Sequence, residues 1–483
     1  MALSSSKSQV FVDNKKCTEI IPKLIERLQI PDKGIKLLFA FCLALLNLSC
    51  NTSYKPDLKR LHSTSTAYEN QPPIIFIPGI TGSKLENKNT SEEIWPKSYW
   101  QLLTHNYQEL TVDINPQTLE AVTEKQNPYS VTDRVAGRDF YQNLIEVLEN
   151  YAGFQKAIAG NAQTNRRKYY LFAYDWRQDN VKTVQKLDQL IEQIKIDYND
   201  PNLKVDIIAH SMGGLISRYY LRYGKLDVLD TNELKTNLTG AKNLRRVIML
   251  GTPNFGSIDA INTLIEGLPL VFSKIEPETL ATMPSMYQLF PHTLNHWIIK
   301  PDGTALARDQ FDVELWKRFQ WSIFDPMVKK KIISTKGQDY YDLLADFFEK
   351  HLERARRFVW ALTVPYPKTD VILIAFGGDC HLTPARVVVE ETNKGSELRM
   401  KPQQISRKVA GVDYDLLMLE PGDGTVTKAS LLARHSLDPS VPRHKYSFFP
   451  LDYSFFLCEK HNQLTSNINF QDNLLHVLLS RDL

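Results

Sequence analysis

The stretch Val205-Asp-Ile-Ile-Ala-His-Ser-Met-Gly-Gly214 decides the fold. An apolar, β-branched run ends at a serine, small residues flank that serine at Ala209 and Gly213, and a helical pattern begins just after Ser211. This is the G-x-S-x-G turn with alanine in place of the first glycine. A tight strand-to-helix turn projects the serine hydroxyl outward, and large neighbours would collide with its strained backbone. The helix start behind it offers free N–H groups and the positive end of a dipole to a developing anion.

Outward from this turn, short β-branched runs alternate with helical patterns, which predicts an α/β fold with a mostly parallel sheet flanked by helices. The strand candidates are 74–77, 169–174, 205–209, 246–250, 371–376 and a weaker 446–449. The clearest helix lies over 182–198, where Val184, Leu187, Ile191 and Ile194 share one face. Two gaps exceed the usual connection of about 2–6 residues. They span about 86–165 and 258–365, and they read as insertions covering the carboxyl edge of the sheet, where such folds bind ligands.

A serine alone is a weak nucleophile, and it needs a base and an acid that orients the base. Pro421-Gly-Asp-Gly-Thr-Val426 places Asp423 in a glycine-flanked turn, and His461 follows in Glu459-Lys-His-Asn-Gln463. Ser211, Asp423 and His461 thus stand in the chain order that hydrolases with this turn use. Asp379, in Gly377-Gly-Asp-Cys-His381, is a rival acid at the end of a predicted strand. His210 adjoins the serine with its side chain expected to point away, and His435, His444 and His476 are weaker bases. The early strand enters Pro78-Gly-Ile-Thr-Gly-Ser83, so the backbone N–H groups of Ile80 and Met212 are the expected oxyanion hole.

Together these motifs resemble the lecithin:cholesterol acyltransferase family of α/β-hydrolases, with its phospholipid:diacylglycerol acyltransferase and lysosomal phospholipase A relatives. The resemblance rests on Pro78-Gly-Ile-Thr-Gly-Ser-Lys-Leu-Glu86, Ala173-Tyr-Asp-Trp-Arg177, Gly251-Thr-Pro-Asn-Phe-Gly-Ser257, Met283-Pro-Ser-Met286 and Gly422-Asp-Gly-Thr-Val426. It covers residues 73–483 and implies the same triad and oxyanion hole. It further implies that the insertions form a membrane-contacting region and a cap or lid over an acyl-chain pocket. Trp95 and Trp100 are the candidates for lipid contact, since such rings favour interfaces. An Asp175–Arg177 pair with a buried Trp176 reads as a structural brace below the site.

The expected activity is acyl transfer from a phospholipid-type ester to water or an alcohol through an acyl-serine. The alternatives are a triacylglycerol lipase or carboxylesterase, and a lipid-binding protein that lost the activity. No metal or organic cofactor is needed. The expected partners are a lipid substrate and a membrane or lipid surface. The 58 Lys plus Arg against 55 Asp plus Glu, a net charge of +3, argue against nucleic acid.

Residues 1–50 read as an N-terminal extension ending in an export segment. Lys33 and Lys36 precede the apolar run Leu37 to Leu46, and Ser49-Cys50 resembles a lipoprotein cleavage site. Residues 51–72 are polar and read as a tether, with the hydrolase domain from 73. Cleavage there removes Cys17 and Cys42, leaving Cys380 and Cys458 either bridged or free. The expected location is the cell envelope or exterior.

Overall fold

The computed structural model describes residues 55–62, 64–65, 71–97, 107–135, 138–165, 167–231, 233–270, 273–393 and 395–481. The export segment, Cys50 and Trp100 lie outside them. The chain divides into two units, Met1–Lys55 and Pro56–Leu483, and the second carries everything that follows.

Among the described residues, seven strands form one sheet: β1 (Ile74–Ile77), β2 (Gln155–Lys156), β3 (Lys168–Leu171), β4 (Val205–His210), β5 (Leu244–Leu250), β6 (Ile372–Gly378) and β7 (Tyr453–Leu457). Their order is β2-β3-β1-β4-β5-β6-β7, and every pairing is parallel. The period-2 alternation of side chains sorts the core into two layers. Ile75, Ile77, Ile207, Ala209, Val247 and Met249 face one way, onto Val184, Leu187 and Ile191 of α2 (Asn180–Asp197) and Leu215, Ile216 and Tyr219 of α3 (Met212–Tyr223). Ile74, Phe76, Ile208, Ile248, Ile374 and Phe376 face the other way, onto α1 (Gln142–Asn150) and Phe470, Leu474 and Leu475 of α6 (Ile468–Leu479). Both faces are covered, as a parallel sheet requires. This is the α/β-hydrolase fold that the sequence predicts.

Four expectations need correction. The aromatic run 446–449 is no strand: Lys445–Ser447 is a 3₁₀ turn, and the last strand is Tyr453–Leu457. The run's rings serve packing instead, with Tyr446 edge-on to Trp360, Phe448 edge-on to Tyr366 and Phe449 under Arg218. The first insertion is shorter than 86–165, because α1 and β2 belong to the sheet and its outer layer. The polar segment before β1 is not all tether: Leu58 of the helix Leu58–His62 is buried, and His62 Nε2 lies 3.0 Å from Asp472 Oδ1. Trp95 is not a surface anchor either. It is 3% exposed, packs edge-on to Tyr107 and Trp176, and donates its indole N–H to the Thr81 carbonyl at 2.7 Å.

The second insertion holds α4 (Ile258–Glu266) and α5 (Gln338–Ala361), the latter burying Leu344, Phe347, Phe348, Leu352, Ala355 and Phe358 on one face. A further excursion, unread in the sequence, follows β6. Its hairpin pairs His381–Pro384 with Leu419–Gly422, and beyond it Val387–Thr392 pairs with Gly395–Arg399 and with Ile298–Ile299 of the second insertion. Among the described residues no helix is long and apolar enough to cross a membrane.

Candidate active site

The carboxyl ends of β1, β4, β5, β6 and β7 converge on Ser211. The serine sits between β4 and α3 with φ 52° and ψ −123°, a strained conformation for a residue with a side chain. Its N–H donates to the Leu250 carbonyl at 2.8 Å, which ties the turn to the end of β5.

His461 enters on the segment after β7. Its Nε2 lies 3.0 Å from Ser211 Oγ, and its Nδ1 lies 2.8 Å from Asp423 Oδ2. The backbone N–H of His461 also donates to the Asp423 carbonyl at 2.9 Å. Asp423 Oδ1 accepts from the N–H groups of Thr425 and Val426 at 3.0 and 2.7 Å, so both carboxylate oxygens are engaged. Burial by itself would raise the Asp423 carboxyl, but the His461 charge and hydrogen bond and the two N–H donors outweigh it and hold the group below its ordinary value. A carboxylate only accepts, so Nδ1 of His461 carries the proton and Nε2 is free to accept from the serine hydroxyl. Burial opposes charging of His461 too. The Asp423 carboxylate, its hydrogen bond and the nearby Asp259 more than offset this and raise the imidazole above its ordinary value.

Asp423 is supported from below. Gly424 N–H donates to Thr383 Oγ1 at 2.9 Å, anchoring the acid's turn to the hairpin. At Gly378, the last residue of β6, a Cβ would lie 2.3 Å from the Glu459 carbonyl oxygen and 2.7 Å from Asp423 Cβ. Only a bare Cα lets the acid and the His461 segment close over the end of this strand. Cys380 and Cys458 form a disulfide that continues the β6–β7 ladder past its last pair, Gly378 and Leu457.

The rival residues lie elsewhere. Asp379 pairs with Lys428 Nζ at 2.9 Å. His444 Nδ1 accepts from the Tyr446 N–H, His435 lies beside Arg434 and His444, and His476 is exposed on α6. His210 does not bond the serine, yet it is more than packing: its ring centroid is 4.9 Å from that of His461, and its Nε2 is 3.2 Å from the His461 carbonyl.

The loop carrying Ile80 crosses directly above the serine. A Cβ at Gly79 would sit 2.8 Å from Ser211 Cβ, so glycine is required for the close approach. The loop is braced on several sides. Tyr174 O–H donates to the Pro78 carbonyl at 2.7 Å, Trp176 N–H to the Ser83 carbonyl at 3.2 Å, and Gly79 N–H to Tyr141 Oη at 3.0 Å. Arg177 grips Asp175 with Nε at 2.8 Å and Nη2 at 2.6 Å, both residues buried, in the bracing arrangement expected. The N–H groups of Ile80 and Met212 meet no acceptor among the described residues, and Met212 heads α3, where such N–H groups lack an intrahelical partner.

Two site residues escaped the sequence reading. Tyr141 belongs to no motif and lies far from its partners in the chain. Asp259 stands at the start of α4 and reads as an ordinary helix-start acid. Its N–H donates to Ser257 Oγ, which in turn donates to the Thr425 carbonyl beside Asp423. Burial, then the Asp423 charge, push its carboxyl up against the pull of His461.

Comparison with known proteins bears on the family and the fold. Residues 134–362 match the family model of lecithin:cholesterol acyltransferase. The chain has an α/β-hydrolase fold, and its residues 134–362 are similar to the lecithin:cholesterol acyltransferase family. Among solved structures, the Tle4–Tli4 complex matches at 16% identity and TM-score 0.55, over 84% of this chain and 98% of that one. Phospholipase PlaB from Legionella pneumophila matches at 16% identity and TM-score 0.26, over 64% and 39% of the two chains. Bacillus licheniformis lipase BlEst2 in its mature form matches at 13% identity and TM-score 0.30, over 86% and 94%. At these identities the first likeness speaks to the fold alone, and the other two are too loose to compare element by element. No curated protein sequence matches. The family match supports a lipid esterase or acyltransferase.

Proposed function

We propose that the chain transfers an acyl group from a phospholipid-type ester to water or an alcohol through an acyl-serine at Ser211. One observation carries this reading: a continuous hydrogen-bonded line from Asp423 through His461 to Ser211 Oγ, with contacts of 2.8 and 3.0 Å. His461 Nε2 takes the hydroxyl proton as Ser211 Oγ attacks the ester carbonyl, and the imidazolium that forms is paired with Asp423. The oxyanion meets the N–H groups of Ile80 and Met212. Collapse of the tetrahedral intermediate breaks the ester C–O bond, and the leaving alcohol takes the proton from His461. Water or a lipid alcohol then gives its proton to His461 and displaces the serine by the reverse path.

The lipid nature of the donor rests on the family match. The Cys380–Cys458 bridge supports an oxidising, exported location. A fluorophosphonate probe should label the native protein and fail on Ser211→Ala, whose turnover should fall by about 10⁴-fold or more. A defined phospholipid incubated with competing alcohols, its products weighed by mass spectrometry, separates hydrolysis from acyl transfer. No labelling of the native protein overturns the serine reading. Release of fatty acid alone, whatever the alcohol, overturns the transferase part.

A further inference from the structure

Tyr141 and His210 are buried beside Ser211, and neither takes part in the steps just described. They join two pieces of machinery that do. The Gly79 N–H donates to Tyr141 Oη at 3.0 Å. Tyr141 Oη lies 2.9 Å from His210 Nδ1, and His210 Nε2 lies 3.2 Å from the main-chain carbonyl oxygen of His461.

The proton positions follow from the partners. A carbonyl oxygen only accepts, so His210 Nε2 carries the ring proton. Burial, then the neighbouring His461 charge, drive His210 down to about 3, so the ring is neutral and Nδ1 accepts. The Tyr141 hydroxyl is therefore its donor. The chain runs from Gly79 N–H to Tyr141, from Tyr141 O–H to His210, and from His210 Nε2–H to the His461 carbonyl. All donors point the same way, an arrangement in which each bond polarises the next.

The packing fits this order. Tyr141 lies edge-on to Phe76 at 4.8 Å and to His210 at 5.6 Å, so the phenol has little freedom to turn away. A Cβ at Gly79 would lie 3.3 Å from His210 Nδ1, which puts the oxyanion loop directly against the chain. One end of the chain thus holds the residue before Ile80, and the other holds the backbone of the base.

We infer that Tyr141 and His210 are positioning residues, setting the distance between the oxyanion loop and His461 across Ser211 through a single hydrogen-bonded chain. The inference rests on the acyl-serine reading and adds to it a requirement for two residues that never touch the substrate. His210 must stay neutral throughout the cycle, because a charge there would oppose the imidazolium formed at His461.

The test compares Tyr141→Phe, His210→Phe and the double variant with the native chain, using a soluble p-nitrophenyl ester and a fluorophosphonate probe well below every Tm. Each single variant should lower kcat by about 10- to 100-fold while KM moves less than about 3-fold, since misplacement acts on the transition state. Labelling of Ser211 should slow in parallel. The double variant should fall no further than the worse single one, because either change breaks the same chain. His210→Gln, whose amide keeps one acceptor and one donor, should recover much of what His210→Phe loses. Native kcat in Tyr141→Phe, or losses that multiply in the double variant, would overturn the inference while leaving the serine reading intact. A native chain that neither labels nor turns over ester removes both.

Discussion

Ser211 and Asp423 reach the same edge of the sheet by opposite routes. The serine is delivered locally, by β4 and α3 with one strained residue between them, and its position is fixed by contiguous backbone. The acid arrives after the chain has left β6, run through a hairpin and a small separate sheet, and returned along Leu419–Gly422. It is held by side contacts: Thr383, the bare edge of Gly378 and the imidazole itself. The difference follows from what each group must do. A nucleophile needs one exact backbone conformation, which only neighbouring residues can impose, whereas an orienting acid needs one oxygen in one place. Loop closure grows costlier only slowly with length, so a long detour is tolerated before the acid and not around the serine.

The largest test of this contrast exchanges the two candidate acids. Asp423→Asn should lower kcat by about 10⁴-fold, as loss of the correct imidazole tautomer does in related triads. Asp379→Asn, which loses its link to Lys428, should keep kcat within about 3-fold of native, since the pair is partly open to solvent and such pairs contribute little. Equal losses in the two variants would mean that the acid has been misassigned.

A smaller effect probes the docking of the returning strand. Gly378→Ala forces its Cβ against Asp423 and the Glu459 carbonyl, and overpacking of this kind costs about 1–3 kcal/mol. Urea unfolding should record that loss, and kcat should fall by about 100-fold as acid and base shift together. Native activity in this variant would show that the acid is not positioned by the end of β6.

The smallest effect concerns Asp259. Its charge helps keep His461 above the ordinary histidine value of about 6.5. The base works when neutral, so activity rises with pH through the His461 pKa. Asp259→Asn removes one stabiliser of the imidazolium, so the acid limb of the kcat/KM profile should move to lower pH while the plateau changes less than about 5-fold. An unmoved limb would separate Asp259 from the base.

The same contrast explains what the sequence made legible. Ile74–Ile77 and Val205–His210 are fully buried on both faces, and such strands read as unbroken β-branched runs ending in glycine or serine turns. Ser211, His461 and Asp423 were legible from local motifs and chain order. The two-residue strand Gln155–Lys156 is polar and exposed, and no pattern marks it. Tyr446 to Phe449 carries a β-like composition, but Pro450 follows at once, and the edge strand Tyr453–Leu457 buries too little to show a clean period. Tyr141 was illegible because its role exists only after folding brings Gly79 and His210 beside it.

The hairpin below Asp423 has one more consequence. Pro384 and Leu419 stand directly opposite each other, so the segment between them leaves and rejoins the hairpin at one rung, while its Val387 and Val388 pair with Ile298 and Ile299 of the second insertion. The segment is therefore a clasp held at two places: the rung fixes the approach to the acid, and the paired strands tie that approach to the second insertion.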